Sequence, residues 1–272
     1  LSYQFEEGSW SLGTEVYNRL KMKEQIMLDA IDNLNDDLPQ NYTQVKLPLG
    51  AYTKTFALGK GTKDVCIYLP WSACAVLKSL ELDNGAKMVP CKPKYKLLAF
   101  GDSITQGWDS LRDSYSYTYI VTRHLNAEAL NYGLGGSRFS AQTLEDVGFD
   151  ADIVFISYGT NDYTFYPSME VLKNECAAYL DAVRSLYPHS KVFCISPIWR
   201  DGGERRLATG TLDECRAVII EEAAKRGFVH IDGYSLVPHM NEYYTDGLHP
   251  NDLGFALYGQ RLMEMLSDSG AL

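Results

Sequence analysis

Hydrophobic and polar positions change rhythm near Pro90–Pro93, and that change divides the chain. Before it, short segments alternate apolar and polar residues: YTQVKL, AYTKTFAL, DVCIYLP and VLKSLEL. Alternation with period two, bounded by Gly, Pro and Asn, predicts antiparallel strands. Asp83-Asn84-Gly85 predicts a hairpin turn, because Asn-Gly accepts positive φ. Helical spacing is scarce in this half outside Lys21–Ile31. Residues 1–92 are therefore expected to form a small β-rich, jelly-roll-like accessory domain.

After Pro93 the pattern alternates between two periods. Apolar runs occur at KLLAF (96–100), EALNY (128–132), DIVFISY (152–158), KVFCISP (191–197) and FVHID (228–232). Helix-period stretches separate them, clearest at Ser168–Tyr187, Leu212–Arg226 and Asn251–Leu266. In the first of these, Val171, Leu172, Cys176, Tyr179, Leu180, Val183 and Leu186 mark one broad apolar face. Runs apolar on both faces, alternating with helices, predict a parallel sheet covered on both sides. Residues 93–272 thus read as one α/β domain. Right-handed crossovers place the strand C-termini on one edge, where open parallel sheets build their sites.

Composition narrows the function classes. The chain has 272 residues, 46% hydrophobic and 22% charged, which suits a globular protein with a substantial core. A net charge of -10 argues against a nucleic-acid partner and against docking on anionic lipid. No apolar stretch approaches the roughly 20 residues of a membrane span. Leu1–Trp10 lacks a basic segment followed by an apolar core, so the start at Leu1 reads as trimmed or mature. A cytoplasmic location is favoured over a secreted one, although a removed signal would leave no trace. Cys66, Cys74, Cys91, Cys176, Cys194 and Cys215 form no CxxC pair, so they read as reduced, mostly buried residues rather than zinc ligands.

The chemistry collects after the runs. The first is followed by Gly101-Asp102-Ser103, the second by GLGGS (133–137), and the third by Gly159-Thr160-Asn161-Asp162. The fourth ends in Pro197-Ile198-Trp199-Arg200, and past the fifth lies Asp246-Gly247-Leu248-His249-Pro250. Ser103 reads either as a helix N-cap or as a nucleophile, and the second role needs a neighbouring base. Of five histidines, His124, His189 and His230 are explained structurally, while His239 competes with His249. Asp246, three residues before His249, is spaced to hold the Nδ1–H and leave Nε2 free. The amides of Ser103 and Gly136 and the side chain of Asn161 are potential oxyanion donors. Trp108, Tyr163, Phe165, Tyr166 and Trp199 cluster near the same edge, where aromatic faces suit sugars, acyl chains or plain packing. Arg200 could meet a polar leaving group or lie on the surface.

GDSITQG, the Gly136 loop, GTND and DGLHP resemble, in order, the four blocks of the GDSL/SGNH hydrolase superfamily of esterases and lipases. The likeness covers residues 94–268 and implies a flavodoxin-like three-layer α/β/α sandwich. It implies Ser103 as nucleophile, His249 as base, Asp246 as its orienting acid, and Ser103, Gly136 and Asn161 as the oxyanion hole. Gly136 is chosen over Gly133 and Gly135 as the last glycine of NYGLGG. The absence of a GxSxG elbow argues against the α/β-hydrolase fold. The front half resembles, more loosely, the β-rich domain of two-domain members of that superfamily, several of which deacetylate carbohydrates. The expected activity is hydrolysis of short acyl esters, acetyl above all, on carbohydrates, by an enzyme of bacterial type with no metal or organic cofactor. Acyl transfer, or a general short-chain carboxylesterase or lysophospholipase activity, is the alternative. Trp108, Tyr163, Trp199 and Arg200 are the expected substrate contacts, and the expected partner is a small-molecule or oligosaccharide ester.

Overall fold

The computed structural model describes residues 2–6, 50–53, scattered positions from 55 to 67, 74–110 and 113–268. The chain divides into two compact units, Leu1–Cys91 and Lys92–Leu272.

The described part of the first unit is a three-stranded antiparallel sheet of β1 (Ser2–Glu6), β2 (Gly50–Thr53) and β3 (Cys74–Ser79). Its order is β2-β1-β3, so a strand from the start of the chain is central. β2 and β3 overlap the starts of AYTKTFAL and VLKSLEL. YTQVKL, most of DVCIYLP and the Lys21–Ile31 helix lie outside the described residues. The expected hairpin at Asn84-Gly85 is not present. The Ala86 amide donates to the Asp83 carbonyl and Gly85 has φ 87°, so a turn exists. Residues 80–94 carry no strand on either side of it. Pro90 and Pro93 follow, and proline cannot donate to a ladder.

The second unit is built on five parallel strands: β4 (Tyr95–Gly101), β5 (Ala127–Gly133), β6 (Ile153–Ser157), β7 (Lys191–Ile195) and β8 (Val229–Ile231). Their order is β5-β4-β6-β7-β8. All five predicted runs are strands. The apolar residues of β4, β6 and β7 serve the two faces alternately, as the pleat requires. Leu97, Ala99, Ile153, Phe155, Phe193 and Ile195 face one buried cluster, and Leu98, Phe100, Val154, Ile156, Val192 and Cys194 face the other.

Among the described residues of this unit six α-helices follow in chain order: α1 (Ser103–Gln106), α2 (Tyr117–Leu125), α3 (Thr160–Phe165), α4 (Met169–Leu186), α5 (Leu212–Lys225) and α6 (Asp252–Asp268). α4 and α5 cover one face of the sheet through Leu172, Cys176, Tyr179, Leu180, Leu212, Cys215 and Ile219. α2 and α6 cover the other, and they approach closely. Tyr117 stacks on Tyr258 at 4.0 Å, and a Cβ on Gly259 would lie 2.6 Å from Ile120 Cγ2. α5 starts sharply because Thr211 and Glu214 form a capping box. Two predicted details differ: Leu186, at the last turn of α4, is exposed, and Val171 is only half-buried. Cys176, Cys194 and Cys215 are buried, whereas Cys91 is exposed. This is the α/β sandwich expected from the pattern. The strand order reverses between β4 and β6, and beyond the C-terminal ends of such a pair is where open α/β sheets place their sites.

Candidate active site

The geometry begins with what only glycine allows at the end of β4. A Cβ on Gly101 would lie 2.0 Å from Thr105 Oγ1 and 2.8 Å from the Ser157 carbonyl. The chain can therefore fold back tightly against β6. Asp102 follows as the N-cap, its Oδ1 accepting from the Ile104 amide at 2.9 Å. Ser103 is the first residue of α1, a single turn closed by Gly107 at φ 98°. The capping alternative for Ser103 is thereby resolved: the aspartate caps, and the serine hydroxyl is left to point elsewhere.

It points at His249. Ser103 Oγ lies 2.9 Å from His249 Nε2, both residues being buried. His249 Nδ1 lies 2.8 Å from Asp246 Oδ2. The other Asp246 oxygen accepts from the amides of His249 at 2.8 Å and Leu248 at 3.0 Å. One carboxylate thus fixes both the imidazole and the turn that carries it. Burial works to raise the Asp246 pKa, but the bonds from the His249 ring and the two amides outweigh it and hold the carboxyl well below its ordinary range. Trp108 stacks on the His249 ring with centroids 5.6 Å apart.

The sequence reading missed Asp109. Its side chain is buried, its backbone is left-handed at φ 75°, and its Oδ2 lies 3.9 Å from His249 Nδ1. A non-glycine residue at positive φ is uncommon, but nothing in the sequence marks it. Ligand atoms of Asp109, Asp246 and His249 lie within 4.8 Å of one another and could hold a cation. Such an ion would compete with the Asp246–His249 hydrogen bond.

The loop after β5 separates its glycines by their partners. The Gly133 amide donates to Asn131 Oδ1, Leu134 to the Gly101 carbonyl, Gly135 to Gln106 Oε1 and Ser137 to the Leu134 carbonyl. Among the described residues, the Gly136 amide has no protein acceptor, and Gly136 sits at φ 79°. Asn161, in the first turn of α3, donates from Nδ2 to the Ser137 carbonyl at 3.1 Å. An amide nitrogen carries two hydrogens, so a second donor remains there. Gly159 holds φ 122° at the start of this helix.

Two buried carboxyls underlie the edge. Asp102 and Asp162 are each pushed up to about 7, chiefly by burial, against hydrogen bonds from Ile104 and Phe139 respectively. The other histidines lie apart from Ser103. His124 bonds its own helix through the Ile120 carbonyl, His230 bonds Ser196, and His239 bonds the Tyr234 carbonyl and stacks on Trp199.

The expected substrate contacts divide. Trp108 is 4% exposed and Tyr163 2%, so neither offers a ring face to a ligand. Tyr163 instead donates to the Arg205 carbonyl at 2.6 Å and ties down the loop after β7. Aromatics that shape a site and aromatics that meet its ligand look alike in sequence. Trp199 is half-buried against His239 and Tyr244, and Arg200 is half-buried over Thr160.

Comparison with solved structures finds the same fold in several proteins. One is a Bacteroides ovatus ATCC 8483 protein described as a candidate GDSL-like lipase (24% identity, TM-score 0.55, 65% of this chain and 53% of that one). Another is a two-domain esterase active on acetylated mannans (19%, 0.53, 65% and 50%). A third is a salicylyl-acyltransferase from a tetracycline biosynthetic pathway (16%, 0.52, 67% and 57%). The chain spans about half the length of each. Comparison with curated proteins finds no match. Residues 99–257, more than half the sequence, match the model of the GDSL-like lipase/acylhydrolase family, and the chain belongs to that family.

Proposed function

We propose that this chain is a serine esterase that removes short acyl groups, acetyl above all, from carbohydrates. The observation that carries the reading is the unbroken relay from Ser103 Oγ through His249 to Asp246, at 2.9 and 2.8 Å. Ser103 Oγ attacks the ester carbonyl while its proton passes to His249 Nε2, and Asp246 steadies the imidazolium. The oxyanion is held by the amides of Ser103 and Gly136 and by Asn161 Nδ2. His249 returns the proton to the leaving alcohol, leaving an acyl-enzyme on Ser103. Water, deprotonated by His249, attacks that acyl group, and the reverse proton transfer frees Ser103 and the acid.

The choice of acetylated carbohydrate is supported by the fold shared with the acetylmannan esterase and by the presence of two compact units. Trp199, half-buried, and Phe165, exposed, are the aromatic faces left for a sugar. The fold shared with an acyltransferase supports a second reading, in which an alcohol or amine replaces water in the last step. Among the described residues no helix is long and apolar enough to cross a membrane. Turnover of 4-nitrophenyl acetate, a phosphonate adduct on Ser103, and product analysis with acetylated mannan and xylan fragments test the proposal. No turnover together with no adduct would end it, and acyl transfer to an added acceptor in preference to water would favour the second reading.

A further inference from the structure

The residues of the relay leave one charged group of this edge without a task. Arg200 follows β7 and lies between two parts of the site. Its Nη1 donates to Thr164 Oγ1 at 3.1 Å and to the carbonyl and hydroxyl oxygens of Thr160, the residue before Asn161. The next residue, Asp201, donates its amide to the Gly247 carbonyl at 2.7 Å, within the turn that carries Asp246 and His249. The guanidinium also lies over the Tyr163 ring at 5.7 Å. Every hydrogen-bond acceptor of Arg200 is therefore neutral. Among the described residues it forms no ion pair, and its Nε is buried with no acceptor.

That arrangement is costly for a purely structural residue. A buried N–H without an acceptor loses its hydration for nothing, and a desolvated cation asks for an anion. Burial indeed pulls the Arg200 pKa below its ordinary value, while Tyr163, Asp246 and Asp102 act in the opposite direction. Nε is closed off and Nη1 is in use, so Nη2, which has no acceptor among the described residues, is the donor left for a carboxylate. The chain as a whole carries -10, which repels anionic esters, so a local cation has a distinct effect here.

We propose that Arg200 forms a subsite for a carboxylate on the ester substrate, so that acidic esters, such as acylated uronic or hydroxy acids, are preferred over neutral ones. The inference rests on the esterase reading. The carboxylate can sit on the alcohol half or the acyl half, and paired substrates separate the two. 3-Acetoxybenzoate is compared with 3-acetoxybenzamide, and phenyl hydrogen adipate with phenyl adipamate. One pair should show a kcat/KM ratio of about 10 to 100 in favour of the acid, the range of one charge-assisted hydrogen bond. Arg200→Gln should bring that ratio to about one, and Arg200→Lys should keep part of it. If Arg200→Gln does not fold, Arg200→Lys supplies the test, with a ratio expected between one and the wild-type value. Ratios near one in both pairs, or a preference that Arg200→Gln leaves intact, overturn the subsite while leaving the esterase standing. No hydrolysis of any of the four esters sinks the esterase reading instead.

Discussion

Asp246→Asn tests the relay at its most constrained point. Oδ1 of Asp246 is held by two backbone amides, those of His249 at 2.8 Å and Leu248 at 3.0 Å. An asparagine must keep its carbonyl oxygen there, because turning over would set its NH₂ against two N–H groups. Giving up those two hydrogen bonds costs about 0.5–1.5 kcal/mol each. The NH₂ therefore falls where Oδ2 stood, 2.8 Å from His249 Nδ1. Two donors then face each other, and the imidazole escapes by moving its proton to Nε2. That nitrogen now donates towards Ser103 Oγ and can no longer take its proton. The analogous substitution in serine proteases lowers kcat about 10⁴-fold, and a loss of 10³ to 10⁴ is expected here. Since the turn keeps both amide bonds, the thermal midpoint should hardly move. Asp246→Ala should lose comparable activity and also stability. The assay is steady-state hydrolysis of 4-nitrophenyl acetate beside thermal unfolding. An Asp246→Asn enzyme within tenfold of wild type refutes the reasoning. Should Asp109→Asn then abolish activity, the buried carboxylate 3.9 Å from Nδ1 is the orienting acid.

Other perturbations reach the rest of the edge. Asn161→Ala should lower kcat by about 10² to 10³ with little change in KM, and an unchanged kcat in the same ester assay would remove Asn161 from the oxyanion site. Asp102 is raised to about 7 in the fold, so the folded state binds the proton more tightly than the unfolded chain. Its contribution to stability is complete below about pH 4 and is lost as pH rises through 7, up to about 4 kcal/mol for so buried a group. Asp102→Asn keeps the cap and should make the fall in urea stability between pH 5 and pH 8 shallower, Asp162 retaining its own share, whereas parallel pH curves would contradict the shift. Trp108→Ala removes a buried ring stacked on His249 and should cost about 3–5 kcal/mol in urea unfolding, while a loss under 1 kcal/mol would mean the ring packs on little.

The sequence carries the second unit well because its signals are long. Five doubly apolar runs became five strands, and three helices appeared within two residues of their expected ends. The features it hides depend on contacts between distant residues. Gly135 and Gly136 are alike in the sequence, and what separates them is the bond from Gly135 to Gln106 Oε1, 29 residues away, and the positive φ of Gly136 alone. Trp108 and Tyr163 were expected to meet substrate and are buried, because a ring beside a site packs or binds according to its neighbours. Asp109 gives no periodic signal at all. The Asn84-Gly85 turn shows the reverse error, a strong local signal with no strands around it to make a hairpin.

The order Asp102-Ser103 has a physical reason that links cap and chemistry. A helix start leaves its first amides unpaired, and one side chain at the cap can satisfy one of them. Were the serine at the cap, its hydroxyl would bond a backbone amide and turn away from any base. With aspartate there, the amide of Ile104 is taken and the serine moves one residue into the helix. Its Oγ then faces His249 Nε2, and its own amide stays at the positive end of the helix, open to an oxyanion. A deprotonated Asp102 would weaken that end by setting a negative charge beside the developing oxyanion. Burial raises its pKa to about 7, which keeps the carboxyl largely neutral in acid and exposes the oxyanion to its charge in base. The same carboxyl thus links the pH dependence of the fold to that of the reaction, and Asp102→Asn should remove its share from both, leaving those of Asp162 and His249.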